Sequence, residues 1–306
     1  MKKTLIAIII YLFTGSYFIY AQSVQFLINP ADAASLGLAG TIVAIDANSF
    51  AIYNNPASMA LARQKMMLGL SYGNWQPKGA NNSLLTFSGY YNIKEKLGVG
   101  FGFRSFSHQA YPISTLTGLT EATFKPAEYA VDLGFAYRVA PQFSTGINMK
   151  YIGSSIAQDA KGSSFAIDAG MMYQNEKVNV AFSICNIGSQ ISYGATKYSL
   201  PMMAKLGGAY RVDMTESHLL TLSAEGDYIV PAKVMMMGLG AQYTFQNMLK
   251  VRTGYHYGDN TKSIPSYFSA GLGVAFSGIS VDFSMLLSSP SEILKNSFLV
   301  GVSYSM

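Results

Sequence analysis

The sequence predicts an all-β protein: a transmembrane antiparallel β-barrel of about fourteen strands with an N-terminal hatch or plug segment. Three observations lead there. Half of the 306 residues are hydrophobic and only 12% are charged, yet beyond the N-terminal stretch no run approaches the ~20 apolar residues of a spanning helix. From Met66 onward, apolar residues alternate with small or polar ones in segments of about ten, as in a wall strand with one lipid face and one lumen face. The links between segments alternate short and long, as periplasmic turns and external loops do.

Composition removes several other classes. With 21 Tyr and 18 Phe the chain is too aromatic, and with 12% charge too apolar, for a disordered protein. The single Cys185 excludes a disulfide framework and a Cys-rich zinc site. A net charge of +5 without any Lys/Arg block does not describe a nucleic-acid binder. A large soluble β-sandwich is the competing explanation for so apolar a chain, but a sandwich has no reason to alternate its loop lengths.

Residues 1–21 read as a secretory signal. Lys2 and Lys3 form the positive end, Leu5 to Phe13 the apolar core, and Gly15 and Ser16 break it. Ala21 is the small residue before a cut at Gln22. The core is short for a membrane anchor, and no Cys follows it to carry a lipid.

Residues 22–65 form the expected hatch. The stretch is rich in Ala, Gly and Asn and lacks wall-strand alternation. Small residues allow close packing, and Asn and Asp bond backbone groups in tight turns. Leu36, Leu38, Ile42, Val43, Ile45 and Met59 would be wasted on a solvated periplasmic tail. The segment is therefore placed in the lumen.

Residues 66–306 form the barrel. Strands are expected near 66–75, 83–92, 96–106, 127–139, 142–154, 164–174, 177–187, 202–213, 218–229, 233–245, 248–258, 266–276, 279–288 and 296–306. In the clearest one, Tyr129, Val131, Leu133, Phe135, Tyr137 and Val139 face lipid, while Ala130, Asp132, Gly134, Ala136 and Arg138 face inward. Tyrosines at the ends of apolar faces, such as Tyr129, Tyr137, Tyr151, Tyr173 and Tyr304, match interfacial girdles. Short turns are expected at 92–95, 140–141, 175–176, 213–217, 246–247 and 277–278. Longer links fall at 76–82, 108–125, 155–163, 188–200, 258–265 and 289–295, and only the link near 230–232 is short where a long one is due.

The inward phase gathers charges of both signs: Asp132, Arg138, Lys150, Asp168, Lys205, Arg211, Glu225, Asp227, Lys250, Arg252 and Asp282. An ion-selective pore and a network tying wall to plug both fit; the mixed signs and the plug favour the network. His108, His218 and His256 fall near an external loop, at a periplasmic turn and on an inward face, so no metal site and no hydrolytic constellation is expected. Cys185, also inward, reads as an inert small residue. Met235, Met236 and Met237, with Met202 and Met203, could form a pliable pocket or a stretch of lipid-facing wall. No enzymatic activity and no cofactor is expected.

The N-terminal pattern Asp32-Ala33-Ala34, Gly37, Ala39-Gly40, Asp46-Ala47-Asn48-Ser49 and Asn55-Pro56-Ala57 resembles the hatch of the fatty-acid transporter superfamily of outer-membrane barrels. Within it the chain is most similar to the PorV/PorQ family of the type IX secretion system. The likeness continues in Leu70-Ser71-Tyr72, Trp75, Gly89-Tyr90-Tyr91, Phe103-Arg104-Ser105-Phe106-Ser107 and Glu128-Tyr129-Ala130-Val131-Asp132-Leu133, and in Phe143-Ser144, Gly146 and Lys150-Tyr151-Ile152. It covers roughly residues 24–155 well. Asp46, Asn48, Asn55, Pro56 and Ala57 are the hatch motif it marks.

The resemblance implies an outer-membrane protein in contact with lipid, a translocon barrel and secreted cargo, the cargo being received through its C-terminal signal domain and delivered to the surface. The external links 76–82, 108–125 and 188–200 are the expected partner surface. In the second of them Tyr111, Ile113, Leu116, Leu119 and Phe124 are candidate contacts, unless that link folds over its own barrel mouth. The alternative that the superfamily implies is a channel taking up hydrophobic small molecules. A kinked strand with a lateral opening would mark it, and the Gly-rich stretches 97–103 and 271–273 permit a kink.

Overall fold

The computed structural model describes residues 24–306 apart from 116–117, 260–261, 263, 290 and 293. The expected signal segment, 1–21, and the candidate contact Leu116 lie outside the described residues. In chain order the strands are β1 (Met66–Trp75), β2 (Asn82–Ile93), β3 (Leu97–Ser107), β4 (Tyr111–Thr115), β5 (Gly118–Phe124), β6 (Ala127–Ala140), β7 (Phe143–Ser155), β8 (Lys161–Gln174) and β9 (Val178–Gly188). They continue as β10 (Ile191–Tyr193), β11 (Thr196–Tyr198), β12 (Met203–Thr215), β13 (His218–Ile229), β14 (Val234–Phe245), β15 (Leu249–Tyr257), β16 (Tyr267–Phe276), β17 (Ile279–Ser288) and β18 (Phe298–Ser305).

Among the described residues fourteen of these strands form one closed antiparallel barrel, with β4–β5 and β10–β11 as separate hairpins. The barrel closes where β1 meets β18, in register from Met67 opposite Ser305 to Asn74 opposite Phe298. Closure leaves no unpaired strand edge, the condition for placing a sheet in hydrocarbon. Each expected wall strand is present, its ends shifted by at most three residues. At one end every link is two or three residues long, at 94–96, 141–142, 175–177, 216–217, 246–248 and 277–278. The longer links share the other end, which is the external one.

The two hairpins correct one expectation. The links 108–125 and 188–200 are not plain loops: Tyr111 pairs with Phe124 in β4–β5, and Ile191 with Tyr198 in β10–β11. Alternating β-branched and aromatic residues pair their backbone groups with each other when no wall strand is available to do so.

The faces follow the alternation. Val131, Leu133 and Tyr137 are exposed to the membrane side while Ala130, Asp132 and Ala136 are buried. Leu206, Leu239, Leu272 and Phe165 are likewise exposed outward. The methionine run divides by the same rule, Met235 and Met237 facing out and Met236 and Met203 in, so neither single reading of that cluster holds.

Residues 24–61 fill much of the lumen. They comprise a 3-10 turn (Gln25–Ile28), helix α1 (Ala33–Gly37), helix α2 (Ala51–Asn54) and a second 3-10 turn (Pro56–Leu61). No regular element is longer than six residues, because Ala, Gly and Asn favour turns and close approach over extended helix. The wall is moulded to this segment. A Cβ on Gly146 would sit 2.6 Å from the Ala57 nitrogen, and one on Gly254 2.6 Å from the Leu38 carbonyl carbon. These strands lack side chains where the segment's backbone touches them.

Candidate functional site

The candidate site is the lumen: the N-terminal segment, the inward side chains that hold it, and the space above it. Near the periplasmic end Asn55 is buried and acts at three points. Its Oδ1 accepts from Ala57 N at 3.1 Å, capping the turn that begins at Pro56, while Nδ2 donates to the carbonyls of Val43 (3.1 Å) and Met171 (3.3 Å). Pro56 suits the first position of a helical turn because its missing N–H would have no partner there. Ala57 is fully buried, its carbonyl accepting from Ser144 Oγ at 2.7 Å. Asn92 Nδ2 and Arg138 Nε hold the next carbonyls, those of Met59 and Ala60, at 3.2 and 3.0 Å.

Asp46 and Asn48 serve different contacts. Asp46 pairs with Arg211 and accepts from Gln174 Nε2 (2.7 Å) and Asn179 Nδ2 (3.0 Å), tying the segment to β8, β9 and β12. Asn48 works within the segment, accepting from Phe50 N at 2.9 Å and donating to Asp32 at 3.3 Å. Asp32 is the N-cap of α1, accepting from Ala34 N and Ser35 N and from the Ser35 hydroxyl. Burial raises its carboxyl above the ordinary value, and the Ser35 hydrogen bonds oppose that rise. The five motif residues thus do not converge on one point. Asp46, Asn55 and Ala57 staple successive turns to the wall, while Asn48 and Pro56 shape the segment itself.

Higher in the lumen Glu225 accepts from Ile42 N and Val43 N at 2.6 and 2.7 Å, and its other oxygen pairs with Lys205 at 2.6 Å. Lys150 lies 2.9 Å from Asp168, and Arg252 lies 2.6 Å from Asp282. Most of the inward charges, Lys150, Asp168, Lys205, Glu225, Arg211, Arg252, Asp282 and Arg138 among them, therefore form pairs or bonds to the segment, as the network reading expects. Two contributors were absent from the expected set. Arg104 Nη1 donates to the carbonyls of Phe26 (3.1 Å) and Leu27 (3.3 Å), and its guanidinium lies 4.4 Å above the Tyr53 ring. Asn148 bridges Asp132 and Asp168 at 2.8 and 3.0 Å. Arg104 was legible by phase, since Leu97, Val99, Phe101 and Phe103 point outward and put it inside.

The histidines stay apart: His108 is 3.5 Å from Glu128, His218 bonds the Tyr243 hydroxyl, and His256 stacks on Tyr267. Cys185 is buried beside a bulge. Ile167 and Ala169 pair with Ile187 and Ile184, leaving Cys185 and Asn186 both opposite Asp168, with Asn186 at φ 59°. The Gly-rich stretches are regular by contrast: 97–103 pairs without a break on both sides, and 271–273 sits in an unbroken run.

Outside, Tyr111 and Phe124 pack at 5.8 Å between ring centres with the rings tilted by 56°, and the Tyr111 hydroxyl reaches the Ile156 carbonyl at 3.3 Å. Ile113 is half-buried on β4, and Leu119 lies in β5 opposite Ser114. The link 188–200 turns inward. Ile191 and Tyr193 are buried in an apolar cluster with Phe26, Trp75 and Phe106, and the Tyr193 hydroxyl donates to Ser154 at 2.6 Å. Ile191 and Tyr193 are therefore part of the barrel's own cover.

A closed antiparallel wall with an apolar outer belt, short turns at one end and a folded segment in the lumen defines a transmembrane barrel of the outer membrane. Solved structures of that type are similar to it over nearly their full length. The monoaromatic hydrocarbon channel CymD superposes with a TM-score of 0.63 at 14% identity, covering 93% of this chain and 98% of that one. The Ralstonia pickettii toluene transporter TbuX gives 0.65 at 12% identity, covering 92% and 99%. The toluene transporter TodX of P. putida gives 0.65 at 11% identity, covering 91% and 98%. At such identities the likeness is one of fold. The sequence itself matches the family described as type IX secretion system protein PorV over residues 17–234, and the chain belongs to that family. No curated protein matches the sequence.

Proposed function

We propose that this barrel works in type IX secretion as a binding component, engaging the translocon barrel, secreted cargo C-terminal signal domains, or both, for delivery to the cell surface. Family membership over 17–234 supports the pathway. The lumen supports the mode of action: with residues 24–61 packed inside, the space above them among the described residues is about 820 Å³, the size of a small-molecule pocket. A folded protein cannot pass through it. The barrel therefore acts on cargo from outside, and the N-terminal segment is a hatch that closes and braces the wall. The partner surface is the external rim, with the β4–β5 hairpin and its Tyr111–Phe124 pair as the leading element and 76–82 beside it. No catalytic step is assigned.

A channel for hydrophobic small molecules is the second reading, supported by the fold shared with the toluene transporters. The unbroken pairing of the two Gly-rich stretches offers that reading no opening at those places, and charged side chains line the inner space. Purification of the tagged protein from native outer membranes in mild detergent tests both. Recovery of a very large barrel, or of secreted proteins sharing a C-terminal β-sandwich domain, is the expected result. Recovery of the barrel alone with a bound apolar compound would replace the secretion reading with transport.

A further inference from the structure

The outer face of the wall is not an even belt. Toward the periplasmic end Leu97, Tyr137, Thr145, Ala169, Met171 and Phe182 line a groove of about 560 Å³ across β3, β6, β7, β8 and β9. Thr145 and Ala169 are small residues in the outward phase of strands that otherwise place Ile147, Ile167 and Met171 there. Beside them β8 and β9 slip in register between Ile167 and Ala169, and a bulge of that kind bends the strand that carries it. Thr145 stands two residues into β7 from Phe143, roughly 7 Å along the strand. The groove therefore lies in the periplasmic half of the apolar belt, where acyl chains face the wall.

Charge at one edge of the groove identifies the head group. The links 62–65 and 94–96 carry Arg63, Lys65, Lys94 and Lys96, all exposed, against Glu95. None of these four cations forms an ion pair among the described residues. The next turns along the groove, 141–142 and 175–177, hold only Glu176 and Lys177, which balance. Lys96 directly precedes Leu97 of the groove. The Lys65 ammonium lies 5.5 Å from the centre of the Tyr91 ring, and Tyr91 is exposed on the outer face of β2, the strand next to that of Leu97. Lys65 thus stands on the lipid side of the wall, with one strand spacing, about 4.8 Å, between its strand partner and β3. Lysines at this depth reach the interface with their ammonium groups and attract anionic lipid. A zwitterionic head group would leave the excess unanswered.

We propose that this face of the barrel binds one anionic phospholipid of the periplasmic leaflet, an acyl chain lying in the groove over Thr145 and Ala169 and the phosphate paired with Lys65, Lys94 and Lys96. This goes beyond the secretion reading and does not depend on it, since the site is on the lipid side of the wall and needs no protein partner.

The test is native mass spectrometry of the full-length protein, delipidated in detergent and titrated with phosphatidylglycerol or phosphatidylethanolamine of the same acyl chains. A single phosphatidylglycerol is expected to bind about fivefold or more tightly than phosphatidylethanolamine. Ala169→Phe fills the groove and is expected to weaken phosphatidylglycerol by about fivefold. Ala270→Phe makes the same change on the outer face of β16, in phase with the exposed Phe268 and Leu272, and is expected to leave binding as it is. The triple variant Lys65→Gln, Lys94→Gln, Lys96→Gln is expected to bring phosphatidylglycerol down to the level of phosphatidylethanolamine, whose own binding stays. Heat-modifiable mobility on gels confirms that each variant is a folded barrel. Equal binding of the two lipids by the parent, equal loss in Ala169→Phe and Ala270→Phe, or retention of neither lipid overturns the assignment. So does a membrane protein that co-purifies with the parent and is lost from Ala169→Phe, which would make the groove a protein contact. Recovery of translocon and cargo is read separately, so either idea can fail alone.

Discussion

Replacing Asn55 by alanine tests whether the hatch is held by a few buried polar staples or by bulk packing. The side chain caps the Pro56–Leu61 turn through Ala57 N and gives the buried Val43 carbonyl a donor at 3.1 Å. Losing an Asn cap costs about 1 kcal/mol. Leaving a buried carbonyl without its donor costs roughly 1–3 kcal/mol more. Together they predict a local loss of about 2–4 kcal/mol, a sizeable fraction of what a segment of some forty residues can hold. The wall is nearly untouched, because fourteen paired strands do not depend on this side chain. Hydrogen exchange read by mass spectrometry separates the two. Amides of 42–61 are expected to exchange roughly 30-fold to several hundred-fold faster in Asn55→Ala, at about 1.4 kcal/mol per decade, while β6–β8 keep their protection. Unchanged exchange in 42–61 would refute the staple argument. Equal acceleration of hatch and wall strands would show that hatch and barrel unfold as one unit.

The other predictions use the same contacts. Arg104→Ala removes the donor to the Phe26 and Leu27 carbonyls and the cation over Tyr53; external protease is expected to cut residues 24–29 in the variant and not in the parent, and Arg104→Lys should restore little because lysine lacks the planar fork. Gly146→Val drives a side chain into the backbone at Pro56–Ala57, and a cost of about 1–3 kcal/mol should appear as a lower yield of heat-modifiable barrel. Asp32→Asn keeps the cap and removes a carboxyl whose burial disfavours its charge, so hatch exchange should be unchanged or slower at pH 7, whereas Asp32→Ala should speed it by a loss of about 0.5–2 kcal/mol. The sign in Asp32's case follows from its raised value: as pH climbs from the ordinary carboxylate range to that value the unfolded segment releases its proton first, so the parent's hatch loses stability over that window and Asp32→Asn does not. Leu239→Arg places a charge on the outer face of β14 and should cost about 2–4 kcal/mol if the position lies at the bilayer midplane, seen as a lower denaturant midpoint in lipid vesicles.

Within the lumen, legibility was uneven for a physical reason. Phase along a strand says which side a residue faces, so Asp132, Lys150, Asp168, Lys205 and Glu225 were placed inside from alternation alone. Phase says nothing of how far along the lumen two residues lie, or which strands neighbour each other around the circle. That Arg211 meets Asp46, 165 positions away, or that Glu225 meets the Ile42 and Val43 amides, depends on the register of the whole barrel. The Asn186 bulge was hidden as well: it lies in an ordinary run, Ile184-Cys185-Asn186-Ile187, with no glycine to mark it. The hairpins over the mouth were passed over because a long link and a short hairpin share the same apolar, β-branched residues.

The sequence by itself determined the architecture. Period-two alternation with an apolar face excludes a helix, and fourteen such segments joined by links of alternating length fit a closed membrane barrel and not a soluble sandwich. It also determined which face carries the small residues and charges, since side-chain direction in a strand is a local property of the backbone. The tertiary structure alone decided what those inward residues do. Gly146 is small because Ala57 lies against it, Arg104 is charged because the carbonyls of Phe26, Leu27 and Asn29 point at it, and Glu225 is acidic because the Ile42 and Val43 amides point at it. Each of those facts joins residues far apart in the chain across a closed lumen, and such distances exist only once the last strand has paired with the first.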